Sequence, residues 1–178
     1  MSENTKVEVK KVEEFYKTIL DSLKADDIQN LVVIGIKTRG VFLAKRFAKM
    51  VERKFANKVS SGTLDISLYR DDFKNKKSWP DIKKTEIPSD IEGKNILLFD
   101  DVLYTGRTVR AAINAIMDYG RPSSIKLAVM VDRGNRELPI QPDFVCMNVK
   151  TSANEMVNVY IDEVDNKEEV EIIRSNAV

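Results

Sequence analysis

The segment ILLFDDVLYTGRTVRAAI, residues 96–113, constrains the fold more than any other part of the chain. Ile96, Leu97, Leu98 and Phe99 form an unbroken apolar run. That is the pattern of a strand covered on both faces, and such strands belong to parallel sheets with helices on either side. Two carboxylates, Asp100 and Asp101, follow at once. A Thr-Gly turn then leads into 109–119, whose apolar face is Val109, Ala112, Ile113 and Ile116, with Gly120 placed to close the helix. Dehydrating an ionised carboxylate costs several kcal/mol unless a partner compensates. The acids are therefore expected at the sheet's edge, facing solvent, a cation or a ligand.

The remaining periodicities repeat the pattern. Val12, Phe15, Ile19 and Leu23 predict an amphipathic helix within 7–24, broken by Asp26 and Asp27. Leu31–Gly35 reads as a buried strand and 41–54 as its returning helix, joined by Ile36-Lys37-Thr38-Arg39-Gly40. Alternation of Leu64, Ile66 and Leu68 with Asp65 and Ser67 predicts a strand over 63–69. The charged stretch 70–95 holds Pro80, Pro88 and Gly93 without periodicity and reads as a long loop, a length usually kept for lids or disorder. Strands are expected at 125–131, 144–149 and 157–161. The fold class is α/β: a mainly parallel sheet with helices on both faces. At 178 residues the chain makes one cored domain.

The loop chemistry points to a ligand. In Tyr104-Thr105-Gly106-Arg107-Thr108 the glycine permits close backbone approach, and the helix that follows turns its positive end to the same place. The spaced GxxxxGK[ST] of a Walker A loop is missing. A phosphate fits the loop, and sugar hydroxyls fit the two acids, since hydrogen bonds to charged groups contribute about 1.5–3 kcal/mol each. Taken alone, a Thr-Gly turn before a helix is a plain connection. Lys37, Thr38, Arg39 and Gly40 stand at a second strand-to-helix turn, where cations suit a second phosphate group. Two anion sites separated by a ribose describe phosphoribosyl pyrophosphate.

DDVLYTGRT resembles the phosphoribosyl pyrophosphate signature of type I phosphoribosyltransferases. The longer stretches DVLYTGRTVRAA, GRPSSIKLAVMVDRG and RELPI resemble the pyrimidine operon attenuator/uracil phosphoribosyltransferase family, PyrR, with GIKTRG and LYRDD in order. The resemblance covers roughly residues 31–165. It implies the type I phosphoribosyltransferase fold, with a hood from the N- and C-terminal segments and a flexible lid over about 68–95. It implies that Asp100 and Asp101 hold the ribose hydroxyls, that Val102, Leu103, Tyr104, Thr105, Gly106, Arg107 and Thr108 complete the phosphoribosyl site, and that Lys37, Thr38, Arg39 and Gly40 meet the pyrophosphate. Arg70 would act from the lid, and Val131, Asp132, Arg133 and Gly134 would lie beside uracil. Mg²⁺ would be held mainly by the substrate, with no protein metal site of its own. The implied reaction joins uracil to phosphoribosyl pyrophosphate, giving UMP and pyrophosphate. A UMP- or UTP-responsive binding of pyr leader mRNA and a homo-oligomer are implied with it. An RNA-binding attenuator with little catalysis and a purine phosphoribosyltransferase are the alternatives.

Several positions depart from the family pattern, and these are associated with RNA binding. Asn135 stands where the family has His, the first helix carries Glu13, Glu14 and Lys17, and Gln141 and Met147 replace basic residues. Lys10, Lys11, Arg136 and Lys150 remain as candidates for RNA, each also readable as solvated surface. Net charge is +1; residues 1–60 hold 13 Lys+Arg against 8 Asp+Glu and residues 151–178 hold 2 against 7, an asymmetry too modest to name a partner. The chain has no His, so neither the commonest metal ligand nor the usual general base is present. With one cysteine and no apolar run near the ~20 residues of a membrane span, a cytoplasmic location is expected. Cys146 reads as a small buried hydrophobe, and Trp79 as either a lid contact or an interface anchor.

Overall fold

Leu31–Ile36 is buried at every position, and it forms β1 near the middle of a five-stranded sheet. The computed structural model describes residues 9–67, 69, 85–88, 90–152 and 155–174. In chain order the elements are α1 (Val9–Asp21), α2 (Ala25–Ile28), β1, α3 (Arg39–Phe55), β2 (Ser60–Leu64), β3 (Asn95–Leu103), α4 (Arg107–Met117), β4 (Ser124–Asp132), β5 (Phe144–Asn148), β6 (Glu155–Tyr160), α5 (Asp162–Asp165) and β7 (Glu169–Arg174). The main sheet runs β2-β1-β3-β4-β5, every pairing parallel.

Alternation along the strands sorts the core into two layers. Leu31, Val33, Leu97, Phe99 and Ala128 meet α1 and α3, whereas Val32, Ile34, Ile96, Leu98 and Val129 meet α4. In the first layer Phe47 of α3 packs on Phe99 at 5.4 Å between ring centroids, and the Tyr16 hydroxyl of α1 donates to the Leu43 carbonyl of α3 at 3.3 Å. The residue just before the acids is thus clamped by aromatic side chains.

Some sequence expectations change. The strand expected at 63–69 lies earlier, at 60–64, and stops because Asp65 Oδ1 accepts from the Ser67 N–H (2.8 Å) and hydroxyl (2.5 Å), a local turn that competes with the ladder. Residues 157–161 leave the main sheet: β6 pairs antiparallel with β7 in a separate hairpin. That hairpin with α5, which we term the hood, shares its apolar cluster with α1, which covers the sheet beside α3. Asp26 and Asp27 form the short α2, with Asp27 Oδ2 accepting from the Lys24 N–H at 2.8 Å. The far end of the expected lid is anchored, since Glu86 exchanges two main-chain hydrogen bonds with Thr63 (2.7 and 2.8 Å) and Ile91 is fully buried. Leu68, Arg70–Asp72 and Trp79 lie outside the described residues, and so does the lid role given to Arg70. Cys146 is half-buried on β5, its thiol pushed up to about 11 by burial, and its Sγ faces the Lys11 carbonyl at 3.5 Å.

Candidate active site

The chain order of the strands places the site. From β1 the chain returns through α3 to β2 on one side; from β3 it returns through α4 to β4 on the other, with the two helices on opposite faces. The connections diverge between β1 and β3, leaving a crevice beyond the carboxyl ends of those strands, the usual ligand position in open parallel sheets. A cleft of about 320 Å³ opens there, lined by Ile36, Lys37, Thr38, Asp65, Ile66, Ser67, Asp100, Asp101, Val102 and Thr108.

Both helix starts turn toward the cleft, which Thr38 and Thr108 line. The N-cap residues, Thr38 for α3 and Gly106 for α4, make no side-chain cap bond in these 17- and 11-residue helices, although the first N–H of α4, that of Arg107, donates to the Thr105 hydroxyl at 3.3 Å. The Lys37–Thr38 peptide is cis. A Cβ on Gly40 would collide with the Phe99 carbonyl, so glycine lets α3 cross β3 directly before the acids. Gly106 has φ +91°, a left-handed conformation that glycine adopts without penalty.

The acids do not sit where a simple strand end would put them. β3 continues through them to Leu103, but β1 leaves it after Gly35↔Phe99, so the next N–H groups lose their strand partner on that side. The carboxylates take over: Asp101 N–H donates to Asp100 Oδ1 at 3.0 Å and Val102 N–H donates to Asp101 Oδ1 at 2.9 Å. Strand alternation breaks at this point. Phe99 and Val102 both face the α1/α3 layer, whereas Leu103 faces α4, and the β3–β4 ladder skips from Asp100↔Val129 to Val102↔Val131. The break explains how two consecutive side chains line one cleft. Asp100 is 5% exposed instead of facing solvent, and its carboxyl is held well above the usual range, first by burial and then by the charge of Asp101.

Other expected site residues are placed differently. Arg39 turns from the cleft to the hood, where its Nε and Nη2 donate to Asp165 at 3.0 and 2.8 Å with the guanidinium 5.8 Å from the Tyr160 ring. The pair holds the Asp165 carboxyl below its ordinary range and raises Arg39. Leu103 is core, and its carbonyl accepts from the Arg133 N–H. Tyr104 stacks under the Arg133 guanidinium at 3.9 Å. Arg107 pairs with Glu137 at 2.6 Å, both half-exposed. In the base segment Val131 is buried, and Asp132 binds the Gly134 N–H and Arg136. Arg133, 7% exposed, spends its guanidinium on Thr151, Ser152 and Glu155. The side chains of Val131, Asp132 and Arg133 are thus committed, and much of the main chain is too: the Arg133 N–H donates to the Leu103 carbonyl, the Asp132 carbonyl accepts from the Val149 N–H, and the Gly134 N–H donates to Asp132 Oδ1. Asp65, Ser67 and Asp165 were missed as site neighbours: the first two read as strand, and no local pattern links Arg39 to a partner 126 residues away.

A parallel sheet with a cleft at its switch point, two helix starts and a carboxylate pair between them define a phosphoribosyltransferase. Residues 3–163 match the phosphoribosyl transferase domain model. The chain belongs to that family, and within it to the PyrR family. It is 52% identical over 151 residues to the Bifunctional protein PyrR of Latilactobacillus sakei subsp. sakei, covering 84% of each chain. It is 55% identical over 138 residues, 78% of each chain, to that of Thermoanaerobacter sp.. Against that of Bacillus subtilis it is 52% identical over 147 residues, 82% of this chain and 81% of the relative. Among solved structures it resembles a hypoxanthine-guanine phosphoribosyltransferase from Bacillus anthracis, with TM-score 0.67 and 17% identity over 98% of this chain and 99% of that one. It also resembles the hypoxanthine phosphoribosyltransferase of Trypanosoma cruzi, with TM-score 0.65 and 21% identity over 93% and 90%. At such identities the likeness carries the fold and says nothing of the base.

Proposed function

We propose that this chain joins uracil to the ribose 5-phosphate unit of phosphoribosyl pyrophosphate, giving UMP and pyrophosphate. The observation that carries the proposal is the pairing of two helix starts with Asp100 and Asp101 in one cleft. The α4 start, with Thr105–Thr108, takes the 5-phosphate on main-chain N–H groups. The α3 start, with Lys37, Thr38 and the Gly40 crossing, takes the pyrophosphate, and its positive end favours the charge that accumulates as the bond to the sugar breaks. Asp101 and Asp100 receive the ribose hydroxyls, fixing the anomeric carbon between the two anion sites. Residues 131–134 lie beside the base. The sugar passes through an oxocarbenium-like state, so positioning and electrostatics carry the chemistry and the missing His is no obstacle.

Magnesium is expected with this substrate, and the donor set suits it. The acids offer hard oxygens at the cleft, and magnesium characteristically keeps several waters and borrows substrate oxygens. When bound, it supplies neutralisation of the pyrophosphate charge.

The test is UMP formation by the purified protein from uracil and phosphoribosyl pyrophosphate with Mg²⁺, beside hypoxanthine and guanine. No UMP ends the proposal, and a purine nucleotide instead of UMP redirects it to the other base class.

The relatives are named bifunctional, and the second activity proposed here is nucleotide-responsive binding of leader mRNA by a homo-oligomer in the cytoplasm. Lys11 on α1 and Lys150 beyond β5 are exposed and available for phosphates. Arg136 is withdrawn from that set, because its side chain is 13% exposed and internally bonded. No described helix is long and apolar enough to cross a membrane.

A further inference from the structure

Arg136 follows the base segment by two residues, yet its guanidinium reaches both walls of the site. Nη2 donates to Asp132 Oδ2 at 2.6 Å, and Nη1 donates to the Tyr104 carbonyl at 2.9 Å and the Gly134 carbonyl at 3.2 Å. Nε donates to the Ile140 carbonyl at 2.9 Å. One planar group thus bridges residues 132–134 to Tyr104, the first residue of the phosphate loop. The stretch that follows forms the bed of that loop: Glu137 and Leu138 N–H donate to the Thr105 carbonyl at 3.0 and 3.1 Å, and the Cβ atoms of Leu138 and Ile140 lie 3.4 and 3.4 Å from where a Gly106 Cβ would stand.

A transferase must hold sugar phosphate and base at a fixed separation, because a small error between reacting atoms costs much of the rate. Nothing covalent sets that distance here, since the phosphate loop and base segment leave different strands, β3 and β4. A lysine at 136 would keep the charge. It would lose the rigid fork that serves four acceptors at once.

We propose that Arg136 is a positioning residue that couples the base segment to the phosphate loop, so that occupancy of one orders the other. The inference rests on the reading of those two segments given under the proposed function.

Amide hydrogen exchange of the full chain tests it, with ribose 5-phosphate as probe, a ligand that reaches the phosphate loop and the two acids but carries no base to meet residues 131–134. In the unmodified protein the probe should slow exchange over 104–110 and also over 131–135. In Arg136→Lys it should slow 104–110 alone, and kcat for UMP should fall at least tenfold with KM for phosphoribosyl pyrophosphate changed less than threefold. Protection of 131–135 that survives in Arg136→Lys overturns the coupling, and so does its absence in the unmodified protein when 104–110 is protected. If the probe protects neither segment in the unmodified protein, the phosphate-loop reading falls and the coupling falls with it. Should Arg136→Lys fail to fold, Arg136→Gln decides on the same criteria, because its shorter amide cannot serve the four acceptors and it leaves Asp132 with its bond to the Gly134 N–H unaltered.

Discussion

The main-chain N–H of Asp101 donates to the Oδ1 of Asp100 at 3.0 Å, so the first acid of the pair is used to complete the backbone that carries the second. The two carboxylates are therefore unequal: Asp100 is buried and structural as well as site-lining, while Asp101 is half-exposed at the cleft.

Asp101→Asn should lower kcat/KM by about 10–100-fold. It replaces a charged acceptor by an amide of the same size, and a hydrogen bond to a charged group contributes about 1.5–3 kcal/mol. Thermal stability should change little, since the amide oxygen can still accept from the Val102 N–H. Steady-state kinetics beside a thermal melt checks both halves, and full activity would show that the acid serves only the backbone.

Asp100→Asn should alter the pH dependence of stability. The folded-state pKa of Asp100 is raised, so above about pH 4 the folded chain retains a proton that the unfolded chain releases. Stability from this group is complete below the unfolded value and is lost progressively as pH rises toward the folded one. Melting temperatures of the wild type should fall relative to Asp100→Asn as pH increases across that window. Parallel curves at every pH would mean that the carboxyl is not held protonated by burial.

Gly106→Ala should cost about 1–3 kcal/mol through its positive φ and should weaken binding of ribose 5-phosphate, because the strain sits at the start of α4. Gly93 provides the comparison: its φ is +67° but a Cβ there meets nothing within 4 Å. Gly93→Ala should destabilise to a similar degree and leave ligand affinity unchanged. Calorimetric titration of both variants separates backbone strain from loss of the anion site.

What the sequence made legible was local. The buried run at 96–99, the acids and the glycine turn all lie within a dozen residues, and each carries a short-range rule, so the strand, the loop and the helix were placed within a few positions. The orientation of side chains depended on pairing instead. Arg39 reads as a pyrophosphate ligand because it adjoins Lys37 and Thr38; only the hood hairpin, which brings Asp165 across, shows that its guanidinium is already engaged. Arg136 reads as surface charge until Tyr104 and Asp132 are seen on either side of it. The break in alternation at Asp101 likewise arises because β1 stops pairing with β3 after Gly35, a fact of topology that no window of sequence contains.

The last prediction concerns RNA. Asn135, Gln141 and Met147 stand where the family pattern has His or basic residues, but the three sites differ in what they can accept. Asn135 is exposed at φ +55°, a conformation that His also tolerates, although its Nδ2 bond to the Thr151 carbonyl at 2.9 Å would be lost. Gln141 is exposed. Met147 is half-buried against the α1/α3 layer, so a lysine there must bring its ammonium out along an apolar surface and should lower the melting temperature by a few degrees. Asn135→His with Gln141→Arg should therefore leave UMP formation within about twofold and the melting temperature nearly unchanged. Affinity for leader RNA should rise, with a steeper salt dependence of ~0.7–0.9 in the log-log slope for each added phosphate contact. Filter binding across a salt series measures this directly. Tight binding by the unmodified chain, with the same slope after the double replacement, would show that these positions carry no RNA contact.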